Sequence, residues 1–403
     1  MGRDAPTLAA GSRVERLDAV HAASPLRVGV VGLGAVAQAV HLPLLAKHSE
    51  QFRISAVCDL SESACAVLGA RFGVEGSRRF RGAGELIEAG GLDAVAILTP
   101  GSHGAIAAEA ARGGLAVFCE KPLAYTLAEA DALAALEPRL MLGYMKVYDP
   151  AVERARELLA DRQEPRSVEV TVLHPPDAPQ LAHAGLLPAP VDIEAAVLAD
   201  LDAAESGVLR QALGEVPREL GRLYADVVLG SIVHELAVVR FLLGGPLELE
   251  YADRWQTSVV LAGRIGGARV SIRWHYLERY PAYREEIRVH DARGTLSLTF
   301  PAPYLLHAPT VLQVVEGDDG AERVSETRST EEAFERQWLA FAVFAHEGVA
   351  PRAGIAEGRE DIVACQRAAA LLAQREGYAV GGEAAAVLKV NDNEGDHGKG
   401  GAR

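Results

Sequence analysis

The stretch LRVGVVGLGAVAQAV, residues 26–40, decides the reading of this chain. It opens with a short apolar, β-branched run, turns at Gly32 and continues with apolar residues at helical spacing. A buried strand that ends in glycine and leads straight into a helix is the start of a βαβ unit. Within it, Gly32-Leu33-Gly34-Ala35-Val36-Ala37 is a GxGxxA pattern. With 40 glycines in 403 residues, such a pattern carries little by itself. Its place between strand and helix is what the chemistry requires. Gly32 permits the tight turn, Gly34 lets the backbone approach a pyrophosphate, and Ala37 lets the helix pack closely on the sheet. The unpaired N–H groups where the helix opens, at Ala35 and Val36, then face phosphate.

Outward from this unit the same pattern repeats. Apolar runs recur at 53–58, 93–98, 116–120 and 139–143, with helical stretches at 35–47, 61–71, 83–89, 103–113 and 126–136. Short apolar runs alternating with helices predict strands buried on both faces, hence an α/β Rossmann domain with a doubly wound parallel sheet over 26–146. Ser61 and Thr126 are placed to cap helices, and Gly113-Gly114 to end one. The run 53–58 delivers Asp59, 22 residues beyond Ala37. A carboxylate there accepts hydrogen bonds from the adenosine ribose and repels a 2′-phosphate, and no Arg follows closely, so NAD is favoured over NADP.

Beyond residue 147 the alternation stops. The pattern predicts an α+β domain over 147–380 with a largely antiparallel open sheet. It comprises a helix at 151–160, a strand at 166–174, a helical insertion over 175–225 with helices at 193–204 and 206–213, and a long apolar helix at 226–243. Alternating segments between 247 and 315, with turns at Gly266-Gly267 and Arg293-Gly294, then give way to helices at 331–346 and 356–375. Residues 1–25 read as a flexible leader, and 381–403 as a flexible tail whose AAAVLKV piece could dock.

Composition excludes several classes. A formal charge of −15 and no evident basic patch argue against nucleic-acid partners. No apolar run reaches the ~18–20 residues of a membrane span, and the N-terminus has no secretory h-region. The four cysteines form no CxxC pair, so a reducing, cytoplasmic setting is expected and no structural zinc. His234-Glu235 and His346-Glu347 are adjacent pairs that point to different helix faces, so no metal site is expected. Neither a Gly-x-Ser-x-Gly elbow nor a Walker loop occurs.

The run 116–120 ends in Glu120-Lys121-Pro122. Ligands of a doubly wound sheet sit beyond the carboxyl ends of its strands, which places Lys121 beside the cofactor and substrate. Pro122 favours extended geometry at Lys121. Lysine is scarce here, five residues in all, and unlike arginine it can shift its pKa when buried.

At these residues the chain resembles a known family. LRVGVVGLGAVAQAVHLPLL, AVCDLSESA and DAVAILTPGSHGAIAAEAARGGLAVFCEKPLAYTLAEADAL are similar to the N-terminal half of the Gfo/Idh/MocA oxidoreductases. The likeness covers 26–150 closely and continues more loosely through GYMKVYDPAVERARELL and HELAVVRFLLG. It implies an NAD(P)-dependent oxidoreductase that acts on a sugar, cyclitol or related compound and forms a homodimer or homotetramer. The strands of the second domain would carry an apolar face that a partner covers.

The resemblance also implies roles. Lys121 and His234 are the catalytic candidates, acting together on the hydroxyl proton; either Lys121 steadies an alkoxide or it serves as the acid–base group with His234 assisting. Gly32, Gly34, Ala35, Val36, Asp59, Thr99, Pro100, His103, Glu120 and Lys121 are the cofactor candidates. Lys146, Tyr148, Ser231, His234, Glu235 and Tyr276 are the substrate candidates, with Tyr144 and the aromatic cluster Trp274, His275, Tyr280 and Tyr283 beside them. His41 and His174 read as structural residues able to flank the pocket. Departures are visible: the Thr99-Pro100 loop reaches His103 one residue early, and Gly230 and Ala237 stand where the family often has aspartate. Two other functions stay open, an NAD-dependent glycosidase or lyase using transient oxidation, and a non-catalytic sensor of NAD and a sugar. The 175–225 insertion could cap the pocket or build an interface.

Overall fold

The computed structural model describes residues 24–162, 165–318 and 320–396. Nearly all of the expected leader, and the tail from 397 on, lie outside the described residues.

The first sheet has β1 (Leu26–Val31), β2 (Phe52–Cys58), β3 (Arg79–Phe80), β4 (Ala94–Ile97), β5 (Ala116–Glu120) and β6 (Leu140–Gly143). Its order is β3-β2-β1-β4-β5-β6, all parallel. Every residue of β4 and β5 is buried, as strands covered by helices on both faces must be. The order reverses between β1 and β4, so the ligand crevice opens above the ends of those strands. Local signals set the helix starts. Ser61 Oγ accepts the Ala64 N–H at 3.0 Å, and Thr126 forms a reciprocal capping box with Glu129.

The second sheet comprises β7 (Ser167–His174), β8 (Glu248–Trp255), β9 (Ser258–Ile265), β10 (Ala268–Tyr276), β11 (Arg284–His290), β12 (Gly294–Phe300), β13 (Val311–Asp318) and β14 (Ala321–Arg328). Its order is β14-β13-β12-β11-β7-β10-β9-β8; β7 and β10 pair in parallel and the other neighbours antiparallel. The inner face is apolar, with Val168, Val170, Val172, Val270, Ile272 and Ile287 buried. The opposite face overturns the expectation of an uncovered apolar surface. It carries Glu169, Thr171, Ser271, Arg273 and Arg288, and Arg273 pairs with Glu169 at 3.3 Å.

Several elements differ from expectation. β8 breaks its alternation at a register shift between Leu249 and Tyr251, and β14 is exposed along its whole length, so neither showed a two-residue apolar period. In the insertion one continuous helix, Ala195–Leu213, replaces the two expected at 193–204 and 206–213, and short helices at Asp177–Leu181 and Ala182–Ala184 precede it. The long apolar helix begins earlier, at Arg218–Arg222, is π-helical over Leu223–Ile232 and α-helical over Val233–Leu243. The tail is helical over Gly382–Asp396 and docks by burying Ala384, Val387 and Leu388. Its Glu383 carboxylate accepts the Leu127 and Ala128 N–H groups at 2.6 and 2.9 Å, which satisfies the open start of the Leu127–Ala134 helix.

Candidate functional site

The glycine loop has the shape a pyrophosphate needs. Gly32 sits at φ +94°, and a Cβ there would lie 2.7 Å from the Thr99 amide nitrogen. A Cβ on Gly34 would meet no atom within 4 Å, so that side of the loop is open to the crevice. Asp59, at the end of β2, accepts the Leu33 N–H at 2.8 Å and the Ser61 N–H at 2.9 Å. It therefore ties the glycine loop to the second strand. These residues fit a dinucleotide held at the β1–β4 switch point.

A cavity of about 630 Å³ opens between the two sheets. From the first domain it is lined by Gly34, Ala35, Val36, Thr99, Pro100, Glu120 and Lys121. Lys146 comes from the linker, and Ser231, His234, Glu235 and Tyr276 from the second domain. Residues 113 apart, Lys121 and His234, thus share one pocket. The lining excludes Gly32 and Asp59, which shape the loop, and also His103 and Tyr148.

His103 is fully buried, its ring nitrogens 2.6 Å from the Thr99 and Pro122 carbonyls. It fastens the two strand-end loops, and burial pushes its pKa down. Tyr148 faces a different cavity, where its hydroxyl accepts the Arg352 N–H at 3.1 Å and the Arg352 guanidinium covers its ring. The linker turns there as the helix Met145–Tyr148, which sends Lys146 and Tyr148 to different cavities.

Lys121 follows β5 through a cis peptide to Pro122. Its Nζ donates to the Gly230 carbonyl at 2.5 Å. Burial, reinforced by the Lys146 cation and opposed by Glu120, holds its pKa below the ordinary lysine value. A chain of hydrogen bonds positions its neighbour. The Trp338 indole N–H donates to His41 Nδ1 at 3.1 Å, and an indole can only donate. His41 therefore carries its proton on Nε2 and donates to Glu120 Oε1 at 3.2 Å, while Glu120 Oε2 accepts the Lys121 N–H at 3.1 Å. Burial alone would raise the Glu120 carboxyl; the His41 hydrogen bond and the Lys121 cation outweigh it and hold the pKa low.

Around Lys146 the balance differs. Its Nζ donates to Glu235 at 2.9 Å and to both Glu285 oxygens at 2.6 and 2.7 Å, and the Tyr283 hydroxyl donates to Glu285 at 2.5 Å. Burial would lower the lysine pKa, but the two carboxylates raise it above the ordinary value. Glu235 shares its cation with a second carboxylate, and burial together with Glu285 pushes its pKa up to about 7. His234 is pushed well below the ordinary histidine value by burial and by the Lys121 and Lys146 cations, so its ring is neutral near pH 7.

Four buried polar atoms find no hydrogen-bond partner within the protein and belong to cavity-lining residues: Thr99 Oγ1, Gln180 Oε1, His234 Nδ1 and Glu235 Oε2. Buried polar groups are ordinarily paired, so four unpaired atoms on residues that line one cavity set this region apart. From the aromatic cluster Trp274, Tyr276 and Tyr283 line the cavity, with His174 tilted against Trp274 at a centroid distance of 5.8 Å. Trp274 also donates to Ser231 Oγ at 2.9 Å. His275, bonded to Ser258, and Tyr280 lie outside the lining, and Tyr144 is buried edge-on behind His234.

Sequence reasoning missed Asp177, Gln180, Asp226 and Tyr304, which complete the rim. Glu285 had a signal: in REEIRVH it shares the inward phase of Ile287 and Val289, a carboxylate at an apolar position. Among the described residues no group of three or more His, Cys, Asp and Glu is arranged to hold a metal ion, and no helix is long and apolar enough to cross a membrane.

Comparison with known proteins bears on the first domain and on the fold. Residues 26–148 match the GFO_IDH_MocA family, described as an oxidoreductase family with an NAD-binding Rossmann fold. Inositol 2-dehydrogenase of Leifsonia xyli is 34% identical over 140 residues, which are 33% of this chain and 40% of that protein. The chain thus spans less than half the length of such relatives at this level of identity. The fold extends further. An oxidoreductase domain protein from Kribbella flavida superposes with a TM-score of 0.67 at 18% identity, covering 88% of this chain and 98% of that one. A mutant 3-ketoreductase from Actinomadura kijaniata, in complex with TDP-benzene and NADP, superposes with a TM-score of 0.63 at 18% identity, covering 85% and 96%. Over residues 26–148, its Rossmann domain, the chain is thus similar to the Gfo/Idh/MocA oxidoreductases, and beyond them the likeness is one of fold.

Proposed function

We propose that the protein transfers a hydride between NAD and a secondary alcohol or ketone of a sugar, cyclitol or sugar derivative. The observation that carries this is the convergence, beside the glycine loop, of an unpaired His234 Nδ1, an unpaired Glu235 Oε2 and the Lys121 ammonium. Relatives named for inositol and D-apiose dehydrogenation support the substrate class. Asp59 at the end of β2 supports NAD over NADP.

Hydride acceptance or return at the nicotinamide C4 is the chemistry NAD supplies when bound. The chain's residues handle the proton. In the oxidation direction the neutral His234 accepts the substrate hydroxyl proton, and the Lys121 ammonium donates a hydrogen bond to the developing alkoxide oxygen. Glu235, with a pKa of about 7, lines the same cavity and exchanges that proton onward, while Lys146 and Glu285 hold it in place. It supplies a carboxylate where Gly230 and Ala237 provide none. A Cβ at 230 would press on the Ala225 carbonyl at 3.1 Å, so the π-helical turn itself favours glycine there. Trp274, Tyr276 and Tyr283 offer aromatic faces and hydroxyl tips suited to a sugar ring.

The test is a panel of sugars, cyclitols and nucleotide-linked sugars with NAD, followed by the absorbance of reduced nicotinamide. Stoichiometric reduced cofactor with at least one substrate is expected. Turnover of a sugar with no net reduced cofactor would sink the dehydrogenase reading, and so would silence across the panel despite NAD binding.

A further inference from the structure

The Pro-rich part of the insertion does something the rest of the site does not use. Leu187, partly buried against the core, donates its N–H to Gln38 Oε1 at 2.8 Å, and Gln38 Nε2 donates in turn to the Leu33 carbonyl of the glycine loop at 2.8 Å. Five residues later Asp192 reaches the opposite bank. Its Oδ1 accepts the Ser61 hydroxyl at 2.7 Å and its Oδ2 accepts the Ser63 N–H at 2.8 Å. Between the two fastenings runs Leu187-Pro188-Ala189-Pro190-Val191-Asp192, and its two prolines favour extended backbone. Five residues at ~3.1 Å each span roughly 15 Å, enough to cross from the glycine loop to the helix after β2.

These fastenings flank Asp59, which bonds Leu33 on one side and Ser61 on the other. The adenosine ribose of a dinucleotide belongs at this strand end. An added 2′-phosphate would seek donors such as the Ser61 hydroxyl and the Ser63 N–H, and Asp192 already holds both.

We propose that residues 185–194 form a clasp over the adenosine end of the dinucleotide cleft, and that Asp192 is a specificity-determining residue that rejects the 2′-phosphate of NADP. The proposal rests on the dinucleotide reading above and adds to it a selectivity element supplied by the second domain. Serine donors hold the Asp192 pKa down at about 2, so the carboxylate is charged at any working pH. Arg81, whose Nε donates to the Leu60 carbonyl at 3.3 Å, stands on the same bank. Its cation becomes available to a 2′-phosphate once the competing carboxylate is neutralised. One exposed charge against a phosphate dianion a few ångströms away corresponds to about tenfold in affinity in water.

The experiment measures dissociation constants of NAD⁺ and NADP⁺ by calorimetry for the full chain, for Asp192→Asn and for Arg81→Ala in the Asp192→Asn background. Asp192 is exposed and Asn is isosteric, so both variants keep the fold. Asp192→Asn is expected to tighten NADP⁺ about tenfold at low salt while NAD⁺ changes less than about twofold. Adding Arg81→Ala is expected to remove most of that gain, and ~0.5 M salt to shrink it. An unchanged NAD⁺/NADP⁺ ratio in Asp192→Asn overturns the clasp while leaving the dinucleotide reading intact. A chain that binds neither nucleotide overturns both.

Discussion

Half-buried Lys121 and buried Lys146 line one cavity and meet opposite surroundings. Lys121 stands on the first domain with a neutral carbonyl as its hydrogen-bond partner, at Gly230. Lys146 stands on the linker, gripped by Glu235 and Glu285 and packed 5.3 Å from the Phe300 ring centroid. Burial pulls both ammonium groups toward the neutral form. It prevails at 121, and the two carboxylates prevail at 146. A buried cation without a carboxylate in bonding contact is costly to the fold and is free to meet a substrate oxygen. One with two carboxylates is spent on holding the cavity wall. On the proposed function, chemistry falls to the first lysine and architecture to the second.

The largest expected effect follows directly. Lys121→Ala should lower turnover about 10³-fold, within the usual span of acid–base and alkoxide-stabilising groups. Its melting temperature should hold or rise, because an uncompensated buried charge is removed. Turnover kinetics beside a thermal melt check both halves. The comparison breaks if Lys146→Met abolishes turnover in a stably folded protein while Lys121→Ala leaves it intact.

Lys146→Met should act on stability instead. It leaves Glu235 and Glu285 buried with no cation between them, at a cost of about 3–5 kcal/mol. Urea unfolding measures the loss. The triple variant Lys146→Met, Glu235→Gln, Glu285→Gln should recover most of it, since the charges then disappear together. No recovery would show that Lys146 contributes through its packing.

Much of the first domain could be read directly from residues 26–143, because five of its six strands are self-contained apolar runs and Ser61 and Thr126 cap two of its helices; β3, only Arg79–Phe80, is too short and polar to leave such a run. The parallel sheet and the strand-end placement of Lys121 follow from local signals. The second domain was harder for physical reasons. β14 buries nothing, so it has no apolar period, and the bulge in β8 shifts its phase halfway. The docked tail did show small and apolar residues at helical spacing, but its stability comes from Glu383 capping a helix 255 residues away. His234 was found through a family pattern rather than through periodicity, since a histidine within an apolar helix looks the same whether it packs or reacts. The Asp192–Ser61 contact spans 131 residues and leaves no trace in either local stretch.

A smaller and sharper test concerns Glu235, which touches the architectural lysine yet lines the cavity and leaves its second oxygen unpaired. Its carboxyl titrates near 7 in the folded protein against an ordinary value of 4.5. In the oxidation direction the rate should therefore rise with pH through about 7 as the carboxyl that takes the proton on from His234 ionises, and Glu235→Gln should lose that inflection. Stability should run the other way. Between the ordinary and the folded pKa the native state holds a proton that the unfolded chain has released, so this group's contribution to stability declines as pH rises across that window. Urea unfolding at pH 5 and pH 8 should show a smaller decline in Glu235→Gln than in the parent. A pH–rate profile unchanged in the variant would return Glu235 to the wall with Lys146.

The smallest effect is expected two residues along from Lys146. Tyr148 shares its linker turn but points into the other cavity, against Arg352. Tyr148→Phe removes one hydrogen bond, from the Arg352 N–H, so it should cost about 0.5–1.5 kcal/mol of stability. Turnover should change by less than about twofold, because no transition-state contact is lost. A change of tenfold or more in KM for the substrate would mean that the two cavities communicate through the linker, and that the division between a chemical Lys121 and a structural Lys146 segment is drawn in the wrong place.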